Sequence, residues 1–166
     1  MKKIFFSIAL FAIVFVQHSY AQGSNKQTQL TRLLQSYYDI KNALVSSNAT
    51  TAALKAGEFH NAINSIDMKA LSEPDMNAFM PLQSKLAEDA KLISETKDIA
   101  KQRNYFSNFS SNFYTLAKAV KLSEAPAYYA YCPMKKSFWL SNEAVIKNPY
   151  FGNAMLSCGS VKETIQ

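Results

Sequence analysis

The chain has 166 residues, 48% of them hydrophobic and 18% charged, and its formal net charge at neutral pH is +6. This length suits one domain with a sizeable core. The positive charge is spread along the sequence without a dense basic cluster, which argues against nucleic acid as a partner. Four glycines and five prolines argue against a turn-rich β fold.

The first 21 residues have the pattern of a secretory signal peptide. Lys2 and Lys3 form a positive start, and residues 4–16 form an uncharged apolar run that is too short to span a bilayer comfortably. Residues 19–21, Ser-Tyr-Ala, resemble a cleavage site. We therefore expect cleavage after residue 21 and export of a soluble protein to the periplasm. Because no cysteine directly follows the apolar run and no later segment is apolar enough for a transmembrane helix, we expect no membrane anchor after signal cleavage.

Four amphipathic helices are predicted from apolar residues that recur at intervals of three and four, and their ranges are about 26–47, 49–66, 81–95 and 98–122. Asn48 and Asp98 are predicted N-caps of the second and fourth helices. Ser72 also has the pattern of a cap. Pro81 lacks an N–H and disrupts a long helix, so we expect a short turn over residues 76–80 and a third helix that begins near Pro81.

Residues 123–166 are too irregular for a fifth long helix. A short extended piece, residues 127–131, is expected to lead into Cys132, and the segment is expected to fold back over the helices. Short connections between four helices imply an antiparallel bundle. The predicted fold class is therefore all-α, an antiparallel four-helix bundle with an irregular C-terminal segment packed on it. Residues 22–166 are predicted to form this single helical domain.

The sequence contains no pattern that is typical of an enzyme. After the predicted signal peptide only one histidine remains, His60, at the edge of an apolar helix face. A hydrogen bond to a neighbouring group is the ordinary role for such a histidine, and it competes with a role as ligand or base. No glycine-rich phosphate loop, HExxH or CxxC motif is present. We expect a protein that binds rather than catalyses.

Both cysteines lie in the C-terminal segment, and each has a methionine close by: Met134 follows Cys132, and Met155 precedes Cys158. Two cysteines in an exported protein commonly form a disulfide, and closing this loop is worth roughly 3.5 kcal/mol in the loop-entropy model. The competing interpretation is a soft-metal site, because thiolates and thioethers select Cu(I), and Ag(I) is chemically similar. Spacing alone favours the disulfide.

A longer pattern of residues resembles a known family. It comprises Tyr37-Tyr38, residues 41–44, 97–99, 102–103 and Phe106 in the helices, and residues 131–134, 139–141, 148–152, 155–156 and 158–159 after them. It resembles a domain of unknown function in exported Bacteroidota proteins, found alone or fused to the periplasmic adaptor subunit of CusB-type heavy-metal efflux pumps. The resemblance implies a link to copper or silver export and brings the metal interpretation level with the disulfide.

Two hypotheses about function remain open. In the first, the protein is a periplasmic accessory protein that holds Cu(I) or Ag(I) through Cys132, Met134, Met155 and Cys158. It would sequester the ion or deliver it to an efflux adaptor subunit. In the second, a Cys132–Cys158 disulfide stabilises a non-catalytic structural or partner-binding module.

Overall fold

A computed structural model describes residues 18–166 of the chain. The predicted signal peptide lies outside the described residues except for residues 18–21, which belong to the first helix. Four helices make up the bulk of the structure: α1 (His18–Val45), α2 (Ala49–Asn64), α3 (Glu73–Ser94) and α4 (Ile99–Ala119). A short 3₁₀ helix, Met68–Ala70, precedes α3. Each helix packs against the next one along the chain, as the short connections require of an antiparallel bundle.

The three predicted N-caps are confirmed. The Asn48 side chain accepts a hydrogen bond from the Thr51 N–H at 2.9 Å, and Asp98 accepts one from the Ala100 N–H at 2.9 Å. The Ser72 hydroxyl accepts a longer hydrogen bond, 3.4 Å, from the Asp75 N–H. Each cap satisfies an N–H that has no partner within its helix, which is why the helices begin at these positions.

The prediction that the third helix begins near Pro81 is wrong. Helix α3 begins at Glu73 and contains Pro81 in its interior, so residues 76–80 are helical and form no turn. Pro81 is exposed, whereas Phe79 and Leu82 beside it are buried. Burial of such side chains contributes about 1.5–3 kcal/mol each. This offsets the cost of an interior proline, about 3 kcal/mol.

The core of the bundle is aromatic, as the stripe on the fourth predicted helix indicated. The Tyr37 ring of α1 stacks on three rings of α4, with centroid distances of 5.6 Å to Phe106, 5.5 Å to Phe109 and 4.6 Å to Phe113. Phe59 of α2 meets Phe109 edge-on at 4.8 Å. All five side chains are fully buried. Such pairs contribute about 0.5–1.5 kcal/mol each beyond the area that they bury.

The prediction of an all-α fold is correct for the bundle and wrong for the C-terminal segment. That segment contains a three-stranded antiparallel sheet made of β1 (Ala127–Cys132), β2 (Ser137–Ser141) and β3 (Ser160–Ile165), in the order β2-β1-β3. The predicted extended piece is the central strand, β1. The hairpin between β1 and β2 turns without a glycine, because Lys136 adopts a φ of 55°. The usual sequence signal of a tight turn is therefore missing.

The sheet packs on the bundle through α4 and α1. The hydroxyls of Ser107 on α4 and Ser137 on β2 are hydrogen-bonded at 2.7 Å, and the Tyr114 ring of α4 stacks on Tyr129 of β1 at 3.6 Å. Residues 142–159 connect β2 to β3 and include a second 3₁₀ helix, Gly152–Ala154. Among the described residues, no helix has the length and apolar character needed to cross a membrane.

Candidate metal site at the two cysteines

The pairing of β1 with β3 brings the two cysteines together. Tyr131 pairs with Ser160, so the next residue of β1, Cys132, lies beside the peptide that joins Cys158 to Gly159. The backbones approach closely here, since a Cβ atom on Gly159 would lie 2.8 Å from the Tyr131 carbonyl oxygen. Gly159 also has a φ of 145°, which favours glycine. This glycine therefore lets the chain place Cys158 against the end of β1.

Cys132 and Cys158 are both free thiols. The Cys132 thiol is close enough to Cys158 to raise the pKa of the Cys158 thiol. Cys132 is fully buried and belongs to the hydrophobic core, whereas Cys158 is half-buried. Cys132 and Cys158, the two predicted sulfur ligands that are farthest apart in the sequence, are thus neighbours in the structure. Cys132 lies below the surface, and Cys158 lies at the surface.

The backbone of the β1–β2 turn acts on both thiols. The Lys135 N–H donates to Cys132 Sγ at 3.4 Å, and the Met134 backbone favours the thiolate form of Cys158. Hydrogen bonds of this kind favour a thiolate. Burial and the neighbouring Cys132 outweigh them at Cys158 and raise the pKa of its thiol. The Cys158 thiol therefore resists ionisation until something compensates the negative charge.

The two methionines approach the cysteines through their backbones. Met155 accepts a hydrogen bond at its carbonyl from the Cys158 N–H at 3.1 Å, and its side chain is half-buried. The Met134 side chain is 64% exposed at the tip of the β1–β2 turn. The structure thus brings the two thiols into contact and leaves one thioether extending largely into solvent.

The Trp139 side chain provides an apolar surface beside the thiols. Cys132 pairs with Ser137, and Ala130 pairs with Trp139, so Cys132 and the indole share one face of the sheet. The indole is fully buried, and a Cβ on Gly159 would lie 2.8 Å from its Cη2 atom. Among the buried side-chain atoms of the described residues, Trp139 Nε1 lacks a hydrogen-bond partner. This surface shields Cys132 from water.

Within residues 18–166, no group of three or more His, Cys, Asp and Glu side chains could hold a metal ion. The arrangement therefore differs from the four-ligand sites typical of structural zinc. Two sulfur donors suit a soft d¹⁰ cation that accepts few ligands, and thiolate is the ligand type that selects Cu(I).

His60 lies outside this site. Its Nδ1 is 2.9 Å from the Ala87 carbonyl oxygen, which requires a proton on Nδ1. Its Nε2 then accepts from the Asn64 amide at 3.3 Å. Both ring nitrogens have partners, so the interpretation of His60 as a hydrogen-bonded residue at the helix boundary is confirmed.

One family model matches the chain. Its description is "Protein of unknown function (DUF3347)", and it matches residues 33–125. The chain belongs to this family. The match covers α1 from residue 33 through α4 and ends before β1, so it includes most of the bundle and neither cysteine. No curated protein and no solved structure matches the chain.

Within the DUF3347 match, Gln102 and Arg103 connect parts of the fold that are distant in sequence. The Gln102 amide donates to the carbonyl oxygens of Ala49 at 2.8 Å and Thr96 at 2.7 Å. Arg103 donates from Nε to the Pro149 carbonyl at 2.9 Å and from Nη2 to the Leu44 carbonyl at 3.1 Å. Arg103 thereby joins the end of α1 to the connection that leads to Cys158.

Beyond the DUF3347 match, Asn148 holds Cys158 in place. Its amide donates to the Cys158 carbonyl at 2.7 Å, and its side-chain oxygen accepts from the Tyr150 N–H at 2.8 Å. Its own N–H donates to the Leu156 carbonyl at 2.8 Å. Asn148 is fully buried. Sequence reasoning included Asn148 in the family pattern but missed its positioning role, because the contact crosses ten residues of irregular chain.

Proposed function

We propose that this DUF3347 protein binds one soft monovalent cation, Cu(I) or Ag(I), through the thiols of Cys132 and Cys158. The observation that carries the proposal is the close approach of the chain at Cys132 and Cys158, set by the pairing of β1 with β3 and by Gly159, with the Lys135 N–H donating to Cys132 Sγ. Cys132 and Cys158 lie at opposite ends of an irregular segment, and the register of β1 and β3 brings them together. The proposed role is binding, with no catalysis.

The chemistry of the pair supports a cation rather than a neutral ligand. Burial disfavours a thiolate at Cys158, and the neighbouring Cys132 adds to this effect, so the pKa of Cys158 is raised. A bound Cu(I) ion would replace both thiol protons and neutralise part of the charge, and the Lys135 N–H that donates to Cys132 Sγ would stabilise the remaining negative charge. We therefore expect metal uptake to release protons.

The thioethers of Met134 and Met155 complete the ligand shell in this proposal. Met155 lies in the turn that ends at Cys158, and Met134 lies in the turn whose Lys135 N–H donates to Cys132 Sγ. The exposure of Met134 suits a ligand that receives the ion first or passes it on. A soft ion moves between proteins by exchange of one sulfur ligand at a time, which needs such an accessible donor.

The cellular part of the proposal is a periplasmic accessory protein that sequesters copper or silver or delivers it to a CusB-type efflux adaptor subunit. Its support is the signal-like N-terminal sequence and the resemblance of the residue pattern. Fractionation of cells tests the location, and copurification with an adaptor subunit in copper-grown cells tests the partner. Recovery of the protein only from the cytoplasm would contradict the proposed location.

The same close approach favours a second candidate, a structural or partner-binding module with a Cys132–Cys158 disulfide. A free-thiol assay on protein taken directly from the periplasm separates the two. Two reactive thiols support the metal proposal. A bridge in all molecules, together with the absence of Cu(I) uptake by the same protein after reduction, supports the structural module.

Anaerobic titration of the reduced protein with Cu(I), in competition with a chromophoric Cu(I) chelator, tests the metal proposal. We expect one equivalent bound and an ultraviolet thiolate-to-copper band. Cys132→Ser and Cys158→Ser should each weaken binding by more than the ~10–100-fold typical of an outer-shell partner. An unchanged affinity in both variants, or no uptake by the reduced protein, would refute the proposal.

The thioether ligands are tested with a matched control. Met134→Ala and Met155→Ala remove proposed ligands, whereas Met80→Ala removes a methionine on α3 that is 55% exposed. We expect weaker Cu(I) binding in the first two variants only. Equal affinities in all three would reduce the proposed shell to the two thiols.

A further inference from the structure

We infer that Cys132 and Cys158 form a reversible disulfide and that this bond switches off the soft-metal site. The inference rests on the metal binding proposed above and adds a regulation of the same two sulfur atoms. The oxidant is a disulfide, either of a small thiol or of an oxidising protein, and the chemistry is thiol–disulfide exchange.

The backbone arrangement suits a bridge. Cys132 is the last residue of β1, and Cys158 lies just before β3, next to the position that the register places across from Cys132. Directly opposite residues of antiparallel strands have Cα distances of about 4.5–5.5 Å, and an offset of one residue along the strand, about 3.3 Å, raises this to roughly 5.6–6.4 Å, within the range of about 4.4–6.8 Å that a disulfide requires. Cys158 belongs to no strand, and hydrogen bonds with Met155 and Asn148 hold its backbone in place.

The difference in exposure of the two thiols sets the order of events. Cys158 is half-buried and accessible to an oxidant, whereas Cys132 is fully buried against the core. The Cys158 thiolate attacks the oxidant's S–S bond, which forms a mixed disulfide and releases one thiolate of the oxidant. The Cys132 thiolate then attacks Cys158 Sγ, which forms the internal bond and expels the second thiolate.

This sequence balances in atoms and electrons. The two cysteines lose two protons and two electrons, and the oxidant accepts both as its disulfide becomes two thiols. In the reverse direction, a reducing thiolate attacks the accessible Cys158 Sγ and expels the Cys132 thiolate. The Lys135 N–H donates to that sulfur and stabilises it as a leaving group, which keeps the bond reducible.

The fold does not depend on this bond for its core. Small exported domains that lack a sufficient core rely on disulfides, whereas here one continuous cluster of buried residues includes all four helices, β1, β2 and Tyr150. The bridge would close only the C-terminal segment on itself. The bridge would instead abolish Cu(I) binding, because a disulfide has no thiolate that can bind the ion.

The test begins with the full chain, fully reduced or treated with glutathione disulfide under anaerobic conditions and freed of excess reagent. Thiol alkylation with mass spectrometry should detect an internal disulfide after oxidation and two free thiols after renewed reduction. Oxidation should lower Cu(I) affinity as much as the double variant Cys132→Ser/Cys158→Ser does, and reduction should restore it. The fluorescence of Trp139, the only tryptophan, reports the two states independently.

Single variants test the order of attack. Cys132→Ser retains the accessible Cys158 and should accumulate a glutathione adduct. Cys158→Ser retains only the buried Cys132 and should react at least tenfold more slowly. Equal rates in the two variants, or the absence of an internal disulfide in the wild type, would overturn the inference.

The Cu(I) measurements separate failure of this inference from failure of the proposed function. If reduced and oxidised proteins bind Cu(I) equally well, the switch is refuted and metal binding stands. If the reduced protein takes up no Cu(I), the proposed function is refuted, and the switch with it.

Discussion

The Tyr37 hydroxyl of α1 accepts a hydrogen bond from the Leu140 N–H of β2 at 3.0 Å. The same hydroxyl is 2.6 Å from the Ser110 hydroxyl of α4, and the two hydroxyls share a hydrogen bond. One buried oxygen therefore joins the first helix, the last helix and the sheet. Burial raises the pKa of Tyr37 above its ordinary value, so the side chain stays protonated at neutral pH.

Tyr37→Phe should destabilise the protein by about 1–3 kcal/mol, because the buried Leu140 N–H loses its acceptor. Urea unfolding measures the change as a lower midpoint with an unchanged slope. Tyr128→Phe, at a half-buried tyrosine of β1, serves as the control and should change stability by less than about 0.5 kcal/mol. Equal stabilities of the two variants would contradict the stabilising role of the Tyr37 hydroxyl between α1, α4 and β2.

Gly152 and Gly57 should respond in opposite directions to alanine. Gly152 has a φ of 55°, and a Cβ there would lie 2.7 Å from Arg103 Nη2 and 2.8 Å from the Val45 carbonyl oxygen. Gly152→Ala should therefore cost about 1–3 kcal/mol. Gly57 is in α2, where a Cβ would meet only Ser94 Cβ, at 3.9 Å, so Gly57→Ala should stabilise by about 0.5–1 kcal/mol. Thermal unfolding of both variants measures the two signs, and a stabilised Gly152→Ala would contradict the close packing around Arg103.

Lys41 is a buried amine with few partners. Its side chain is 1% exposed, and its Nζ is 3.5 Å from Ser141 Oγ and 6.0 Å from the centre of the Tyr38 ring. Burial lowers the pKa of Lys41 to about 8, Glu143 acts in the opposite direction and Lys147 adds to the lowering. The folded protein thus loses this proton at a lower pH than the unfolded chain, where the ordinary value is 10.5.

The depressed pKa of Lys41 predicts a pH-dependent stability. Between about pH 8 and 10.5 the unfolded chain binds the proton and the folded protein does not, so this residue's contribution to stability rises with pH. Lys41→Met should be more stable than the wild type at pH 7.5, and the difference should shrink by roughly 1–2 kcal/mol at pH 9.5. Comparison with Lys85→Met, at an exposed lysine of α3, isolates the effect. A constant difference between Lys41→Met and the wild type would contradict the prediction.

Asn148→Ala should weaken Cu(I) binding by about 10–100-fold, because the Cys158 carbonyl loses the amide that positions it. The affinity is measured by chelator competition on protein whose circular dichroism shows that it is folded. Asn108→Ala, at an exposed asparagine of α4, should leave the affinity unchanged. An unchanged affinity in Asn148→Ala would show that Cys158 is positioned without this residue.

The helical part of the fold was predictable because its signals are local. Asn48, Ser72 and Asp98 act within three residues of their own positions, and apolar spacing identified the buried faces. The error at Pro81 has a local cause as well: a proline argues against a helix interior, and only the burial of Phe79 and Leu82 against other helices overrides it. The sheet was missed because Lys136 forms its turn without glycine.

The candidate site was predictable only in composition. The sequence contains two cysteines with a methionine near each, but their contact depends on the register of β1 and β3, which joins residues about thirty positions apart. The positioning roles of Arg103 and Asn148 depend on equally non-local hydrogen bonds. The residue types suggested a candidate soft-metal site, but only the pairing of β1 with β3 showed that the two thiols lie close together.

Copper-edge X-ray absorption of the anaerobic Cu(I) complex tests the central claim most directly, because it identifies the atoms bound to the ion. The account predicts a one-to-one complex with a shell of sulfur neighbours, at least two of them, which loses sulfur in Cys158→Ser. A shell dominated by nitrogen or oxygen, or the same shell in the variant, would contradict a copper site at Cys132 and Cys158.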